Sequence, residues 1–118
     1  MKIMHLDKKQ PKGWFTGPWD SNLPIAIGFA NQAIDEPHDH RQVTEIYMVA
    51  RGSVTLRVES QSLQLSAGDV VILEPGEART FIDASKDYFI FIIHTPGLNL
   101  EQMRADKITV SRERLGLH

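Results

Sequence analysis

Apolar and polar residues alternate along most of this chain in short runs, each closed by a turn signal. The clearest run extends from Val43 to Val49, and turn signals follow at Arg51-Gly52 and Pro75-Gly76. Period-two alternation places apolar side chains on one face of a β-strand. Turn signals at intervals of roughly 8 to 12 residues are typical of antiparallel sandwiches and barrels. We therefore expect an all-β, antiparallel fold.

The length of the chain predicts one domain with one hydrophobic core. With 118 residues, of which 42% are hydrophobic, the chain is too short for two lobes and apolar enough to fold. We predict a single domain over residues 1–118, with an N-terminal segment at residues 1–24 and a barrel core at residues 25–111. Helical periodicity is confined to Leu98–Ala105, where Asn99 is a candidate N-cap.

Charge and cysteine content exclude several classes of protein. The chain has 13 Lys and Arg against 15 Asp and Glu, so it lacks the basic field that nucleic-acid binding requires. It has no cysteine, which excludes disulfides and thiolate metal sites and suits a reducing compartment. The longest apolar stretch, Tyr88–Ile93, is far shorter than a membrane span. We expect a cytoplasmic protein with no nucleic-acid or membrane partner.

Three metal-ligating side chains interrupt the strand pattern near the middle of the chain. His38 and His40 are two residues apart, so on one strand they point to the same face, and Glu45 follows after a short turn. Two imidazoles and one carboxylate suit Fe(II), Mn(II), Zn(II) or Ni(II) and leave coordination positions open. Such a set also occurs by chance on a surface loop.

The spacing of these residues resembles a known family. His38-x-His40-x4-Glu45-x6-Gly52 is similar to the first cupin motif, and the segment Gly68–Gly76 is similar to the second. The resemblance is closest to small single-domain cupins of the Cupin 2 conserved-barrel type. It implies an antiparallel double-stranded β-helix, that is, a jelly-roll barrel, with His38, His40 and Glu45 as ligands of one divalent metal.

One position departs from the family pattern. Arg79 stands where cupins place a third histidine ligand, and a guanidinium has no lone pair to offer a metal. Whether a metal is bound is therefore open. His94 is a candidate compensating imidazole, although a strand-end histidine that bonds to a loop carbonyl is the simpler interpretation.

Arg79 also has two interpretations that do not involve a metal. It either anchors the carboxylate or phosphate of a small ligand, or it forms an ion pair with Glu45, Glu74 or Glu77. Tyr47 and Phe81 share the predicted inner face and either line the ligand cavity or belong to the core.

The resemblance leaves the reaction open, because cupins include enzymes and binding proteins. One hypothesis is a barrel that binds a small polar or anionic metabolite at a mononuclear divalent-metal site and acts as an enzyme. The alternative is a metal-free ligand-binding module, or a sugar isomerase- or epimerase-like cupin that uses histidine as acid or base. The resemblance to small cupins and the apolar Trp14–Trp19 segment also predict a homodimer.

Overall fold

The computed structural model describes residues 1–117, which form two antiparallel sheets and two short helices. The strands are β1 (Lys12–Thr16), β2 (Ala26–Ala30), β3 (His38–His40), β4 (Thr44–Arg51), β5 (Ser53–Val58), β6 (Gln61–Ser66), β7 (Val70–Leu73), β8 (Arg79–Ile82), β9 (Phe89–Thr95) and β10 (Lys107–Thr109). The helices are α1 (Leu100–Asp106) and a 3-10 turn at Glu113–Leu115. Neither helix within residues 1–117 has the length and apolar character needed to cross a membrane.

The two sheets each contain five strands, and they confirm the predicted all-β jelly-roll architecture. The strand order is β1-β2-β9-β4-β7 in the first sheet and β10-β3-β8-β5-β6 in the second. Consecutive strands therefore alternate between sheets over much of the chain, which is the crossing pattern of a jelly roll. The core lies between the sheets.

Strand β4 shows how the alternation of the sequence builds this core. Glu45, Tyr47 and Val49 are buried, whereas Ile46 and Met48 between them point to the opposite face and are partly exposed. Tyr47 and Val49 pack in the main apolar cluster together with residues of β5 and β9. The polar Glu45 therefore lies on the same inner face as the core.

The N-terminal segment contributes to the first sheet. Strand β1 lies within the predicted segment of residues 1–24 and pairs antiparallel with β2, with Trp14 opposite Gly28. A side chain at Gly28 would collide with the Trp14 ring, so the glycine makes room for the indole. This pairing brings Trp14 to the inner face of the sheet.

The helix α1 connects the barrel to its last strand. Asn99 caps it as predicted: its side chain accepts a hydrogen bond from the Gln102 backbone at 2.8 Å, and the Gln102 side chain accepts one from the Asn99 backbone at 3.1 Å. The helix ends at Asp106, and β10 follows at once and pairs with β3. The C-terminal part of the chain therefore lies directly beside His38 and His40.

Candidate metal and ligand site

The candidate metal ligands come together on the inner face of β3 and β4. His38 and His40 are 4% and 3% exposed, while Asp39 between them faces the other way. The short turn after His40 returns the chain so that Glu45 enters the same space from the neighbouring sheet. The distance from Glu45 Oε1 is 3.9 Å to His38 Nε2 and 3.7 Å to His40 Nε2.

The hydrogen bonds of the two histidines define which ring nitrogen carries a proton. His38 Nδ1 lies 2.8 Å from the backbone oxygen of Glu36, which accepts only, so Nδ1 is the donor. His40 Nδ1 donates to Asp106 Oδ2 at 2.9 Å. In the neutral imidazoles each Nε2 then keeps a lone pair, and His40 Nε2 is buried without a hydrogen-bond partner in the described chain.

His40 is neutral at physiological pH. Burial lowers its pKa to about 4, although the negative charge of Glu45 opposes that shift. A neutral imidazole with a free Nε2 lone pair is the form that binds a metal ion.

Glu45 is held ionised by the groups around it. Burial opposes its ionisation, but the hydrogen bond from His94 and the charge of the Arg79 guanidinium outweigh burial and keep the pKa of Glu45 well below its usual range. His94 Nε2 donates to Oε2 at 2.6 Å, and the Tyr47 hydroxyl donates a short hydrogen bond to Oε1. The carboxylate is thus both charged and fixed in orientation.

Arg79 lies behind Glu45. Its side chain is fully buried, with Nη2 3.4 Å from Glu45 Oε1 and Nη1 donating to the Glu77 carbonyl at 2.6 Å. Of the three carboxylates weighed as its partners, the structure pairs it with Glu45. His38 is its cross-strand neighbour, so position 79 faces the same space as the candidate ligands.

Tyr47 contacts the carboxylate directly, and Phe81 packs against Tyr47. Their rings contact each other edge to face with centroids 4.7 Å apart, and Phe81 packs against the main apolar cluster. A cavity opens above the histidines, and its lining within residues 1–117 does not include Arg79, Tyr47 or Phe81.

A cavity of about 780 Å³ opens above the histidines. This volume is in the range of small-molecule sites. Its lining combines the polar cluster with an aromatic wall, a wall from α1 and a charged rim. The polar cluster is His38, His40, Glu45 and His94, the aromatic wall includes Trp14, the α1 wall is Leu100, Met103 and Arg104, and the rim includes Lys12, Asp35, Glu36 and Lys107.

Two residues of this site have roles other than those the sequence favoured. Trp14, whose segment predicted a dimer contact, lines the cavity and contacts His94 edge to face at 4.6 Å between ring centroids. Asp106 is buried and bonded to His40 across 66 positions of sequence. The only sequence signal for Asp106 is an acidic residue after an amphipathic turn, which is common on exposed helices.

The donor set fits a divalent metal ion. One ligand atom each from His38, His40 and Glu45 lies within 4.8 Å of the others, and all three side chains are buried. Lone pairs that face one another without a proton between them are repulsive unless a cation or a donor lies between them. The two-histidine, one-carboxylate set suits Fe(II), Mn(II), Zn(II) or Ni(II).

Comparison with known proteins supports the same architecture. Residues 27–94, more than half of the chain, match the family described as Cupin domain. No curated protein matches the sequence significantly. Among solved structures, a Cupin 2 conserved barrel domain protein from Salinispora arenicola is 17% identical with a TM-score of 0.67, over 89% of this chain and 97% of that one.

A nucleoside dehydratase also has this fold. Pac13 is 10% identical with a TM-score of 0.68, and the match covers 96% of both chains. A structure of a Streptomyces PAC13 variant with uridine is 12% identical with a TM-score of 0.66, over 86% of both chains. At these identities the likeness shows the fold alone.

Proposed function

We propose that this chain, which belongs to the cupin domain family, holds one divalent metal ion at His38, His40 and Glu45 and acts on a small polar or anionic metabolite in the cavity above them. The observation that carries the proposal is the pair of buried Nε2 lone pairs that face an ionised carboxylate at 3.7 and 3.9 Å. Two further supports are the family match and the size of the cavity.

When bound, Fe(II), Mn(II), Zn(II) or Ni(II) supplies Lewis acidity toward a substrate oxygen. The protein contributes the orientation of the ligands. Arg79, Tyr47 and His94 hold the Glu45 carboxylate from behind, so that it does not need to reorganise when a ligand arrives. The Trp14 ring lines the cavity beside His94, with the two ring centroids 4.6 Å apart.

The positive charges at the rim of the cavity favour an anionic metabolite. Lys12 and Lys107 share Asp35 as a salt-bridge partner, with Lys107 Nζ 4.0 Å from its Oδ1. Arg104 on α1 has no ion pair within residues 1–117 and lines the same cavity. A carboxylate or phosphate on the ligand would give this guanidinium a bidentate partner.

A second candidate function is metal-free acid and base catalysis, and His94 is the observation that favours it. Its Nε2 donates to ionised Glu45, so in the neutral imidazole its Nδ1 carries a lone pair, and that Nδ1 is buried without a partner in the described chain. A histidine oriented by a carboxylate and lining a cavity has the arrangement of a general base.

Calorimetric titration of metal-free protein with Zn(II), Ni(II) and Mn(II) tests the first proposal against the second. We expect one site per chain in the wild type and a loss of at least a hundredfold in affinity in Glu45→Gln. Glu74→Gln is the matched control, because Glu74 is exposed and its side chain accepts a hydrogen bond from Thr44 next to Glu45. A wild type with no metal binding would overturn the metal proposal.

The ligand is tested with two probes, inorganic phosphate and uridine. We expect Arg104→Gln to weaken binding of phosphate at least fivefold, whereas Arg112→Gln, on an exposed position outside the cavity, leaves it unchanged. Equal phosphate affinity in the two variants would contradict the anionic-metabolite proposal. Binding of uridine alone would identify a neutral polar ligand instead.

We also propose that the chain forms a homodimer through the outer face of its first sheet. Six apolar side chains form two rows there across β9, β4 and β7, because the residues of each row are direct cross-strand neighbours. The rows are Ile93, Ile46 and Ile72, and Phe91, Met48 and Val70. Val70, Ile72 and Phe91 are 59%, 57% and 37% exposed.

A second copy is the occupant that fits this face best. The six residues carry no charge, so the face is self-complementary about a two-fold axis. The whole outer face of the five-stranded sheet, with strands about 4.8 Å apart and about 20 Å long, measures on the order of 500 Å². Two copies that pair over this face bury about 1,000 Å², near the lower limit for a specific interface. We therefore expect a dimer that dissociates on dilution.

Light scattering over a range of concentrations tests the dimer. We expect the mass of the wild type to approach twice 13.4 kDa at high concentration and Ile72→Lys to remain monomeric. Gln61→Lys is the control, since it adds the same charge on the exposed edge of the second sheet. A monomeric wild type at all concentrations would refute this proposal.

A further inference from the structure

We infer that Asp106 is a positioning residue that fixes His40 in the tautomer with its proton on Nδ1, so that the Nε2 lone pair faces His38 and Glu45. The inference rests on the proposed function only for its consequence in metal binding. The tautomer itself is a property of the metal-free chain. Asp106 lies outside the cavity lining and acts through His40.

The geometry requires two acceptors on the Asp106 side chain. Oδ2 lies 2.9 Å from His40 Nδ1, and Oδ1 lies 2.7 Å from the backbone nitrogen of Gln42. The Gln42 N–H is always a donor. An ionised carboxylate only accepts, so it satisfies this N–H with one oxygen and requires a proton on His40 Nδ1 with the other.

The backbone around Asp106 reinforces this arrangement. Its carbonyl oxygen accepts a hydrogen bond from the Arg41 nitrogen at 3.0 Å, and the next residue, Lys107, pairs directly with His40 between β10 and β3. Three consecutive residues, from His40 to Gln42, are thus bonded to Asp106 or to the residue after it. This segment is the turn that separates His40 from Glu45, so Asp106 sets both the ring orientation and the path of the chain between two candidate ligands.

Asparagine at position 106 cannot meet both requirements. It keeps nearly the same volume but offers one acceptor oxygen and one NH2 donor. If the oxygen stays on the Gln42 N–H, the NH2 group faces His40 Nδ1, which must then accept. The His40 proton moves to Nε2, and the lone pair that faced the site is lost. The opposite orientation places the NH2 group against the Gln42 N–H, which leaves two donors facing each other.

Nuclear magnetic resonance of the metal-free protein with labelled histidine measures this directly. The ¹⁵N and ¹³C shifts of the ring distinguish the two neutral tautomers. We expect His40 to be Nδ1-protonated in the wild type and Nε2-protonated in Asp106→Asn. Asp39→Asn is the matched control: it removes the same charge one residue from His40 on the opposite face of β3, and we expect it to leave the tautomer unchanged.

Two spectra would overturn the inference. One is a wild-type His40 that carries its proton on Nε2, and this result is informative even if the Asp106→Asn protein fails to fold. The other is a folded Asp106→Asn protein, verified by circular dichroism, in which His40 remains Nδ1-protonated.

Metal titration of the same variants separates this inference from the proposed function. If both hold, Asp106→Asn weakens Zn(II) binding by ten- to a hundredfold relative to the wild type and to Asp39→Asn. If the wild type binds no metal but the tautomer switches, the metal proposal fails and the role of Asp106 stands. If Zn(II) binds equally to all three proteins and the tautomer does not switch, the role of Asp106 is refuted and the metal site stands.

Discussion

Replacement of Arg79 by histidine tests how the departure from the family pattern shapes the candidate metal site. Position 79 is the cross-strand neighbour of His38 and faces the same interior space, so a histidine there adds a third imidazole to the donor set. The substitution also removes a buried cation whose Nη2 lies 3.4 Å from Glu45 Oε1. Both changes favour a divalent cation.

The magnitude follows from Coulomb's law. A metal ion about 2 Å from Glu45 Oε1 would lie roughly 5 Å from the guanidinium, and a divalent and a unit charge at that distance repel by about 7 kcal/mol at an effective dielectric constant of 20. Glu45 loses its cationic partner at the same time, which offsets part of this gain. If only one fifth of the repulsion survives as net free energy, the affinity still rises about tenfold.

The same substitution lowers the stability of the metal-free protein. It removes the hydrogen bond from Nη1 to the Glu77 carbonyl at 2.6 Å and one of the groups that stabilise the charge of Glu45. Breaking a buried pair by deleting one partner costs about 3 to 5 kcal/mol. Because Tyr47 and His94 still bond to the carboxylate, we expect the lower end of that range, measured by urea denaturation without metal.

Calorimetric titration with Zn(II) and Ni(II) decides between the outcomes. We expect Arg79→His to bind at least ten times more tightly than the wild type. Arg41→His, which removes the same charge from an exposed turn beside His40, should show no such gain. Equal affinity in the wild type and Arg79→His would refute the reasoning, and we expect phosphate to bind both proteins equally, because Arg79 does not line the cavity.

Three further predictions concern the pH dependence, the helix cap and the aromatic wall. The pKa of His40 is about 4 in the folded chain against 6.5 for the ordinary side chain. The free energy of unfolding of the metal-free protein should therefore fall by up to about 3 kcal/mol as the pH drops from 6.5 to 4. Urea midpoints that fall as steeply with pH in a His40→Gln protein would contradict this. Asn99→Ala should cost about 1 kcal/mol in thermal or urea unfolding, because it removes the side-chain cap of α1, and an unchanged midpoint would show that the cap contributes nothing. The centroid of the Trp14 ring lies 4.6 Å from that of His94. Paramagnetic Ni(II) should therefore quench tryptophan fluorescence in the wild type and in Trp19→Phe but not in Trp14→Phe. Quenching that is retained in Trp14→Phe would place the metal elsewhere.

The local rules of the sequence account for the strands and for the face on which each residue of the candidate ligand triad lies. Period-two alternation predicted the buried parity of Glu45, Tyr47 and Val49, and the two-residue spacing of His38 and His40 predicted that both face one side. These features depend only on the geometry of a single strand, which is the same wherever the strand lies. The cap at Asn99 is equally local.

What surrounds the triad was decided by strand pairing across long sequence distances. Arg79 reaches the back of Glu45 because β8 pairs with β3, and Asp106 reaches His40 because β10 pairs with β3 on its other side. Trp14 joins the cavity because β1 adds to the edge of the first sheet. The position of a residue within its own strand specifies the face on which its side chain lies but not the neighbours of that side chain. Only the tertiary structure therefore determines which groups pair with Glu45, orient His40 and line the cavity.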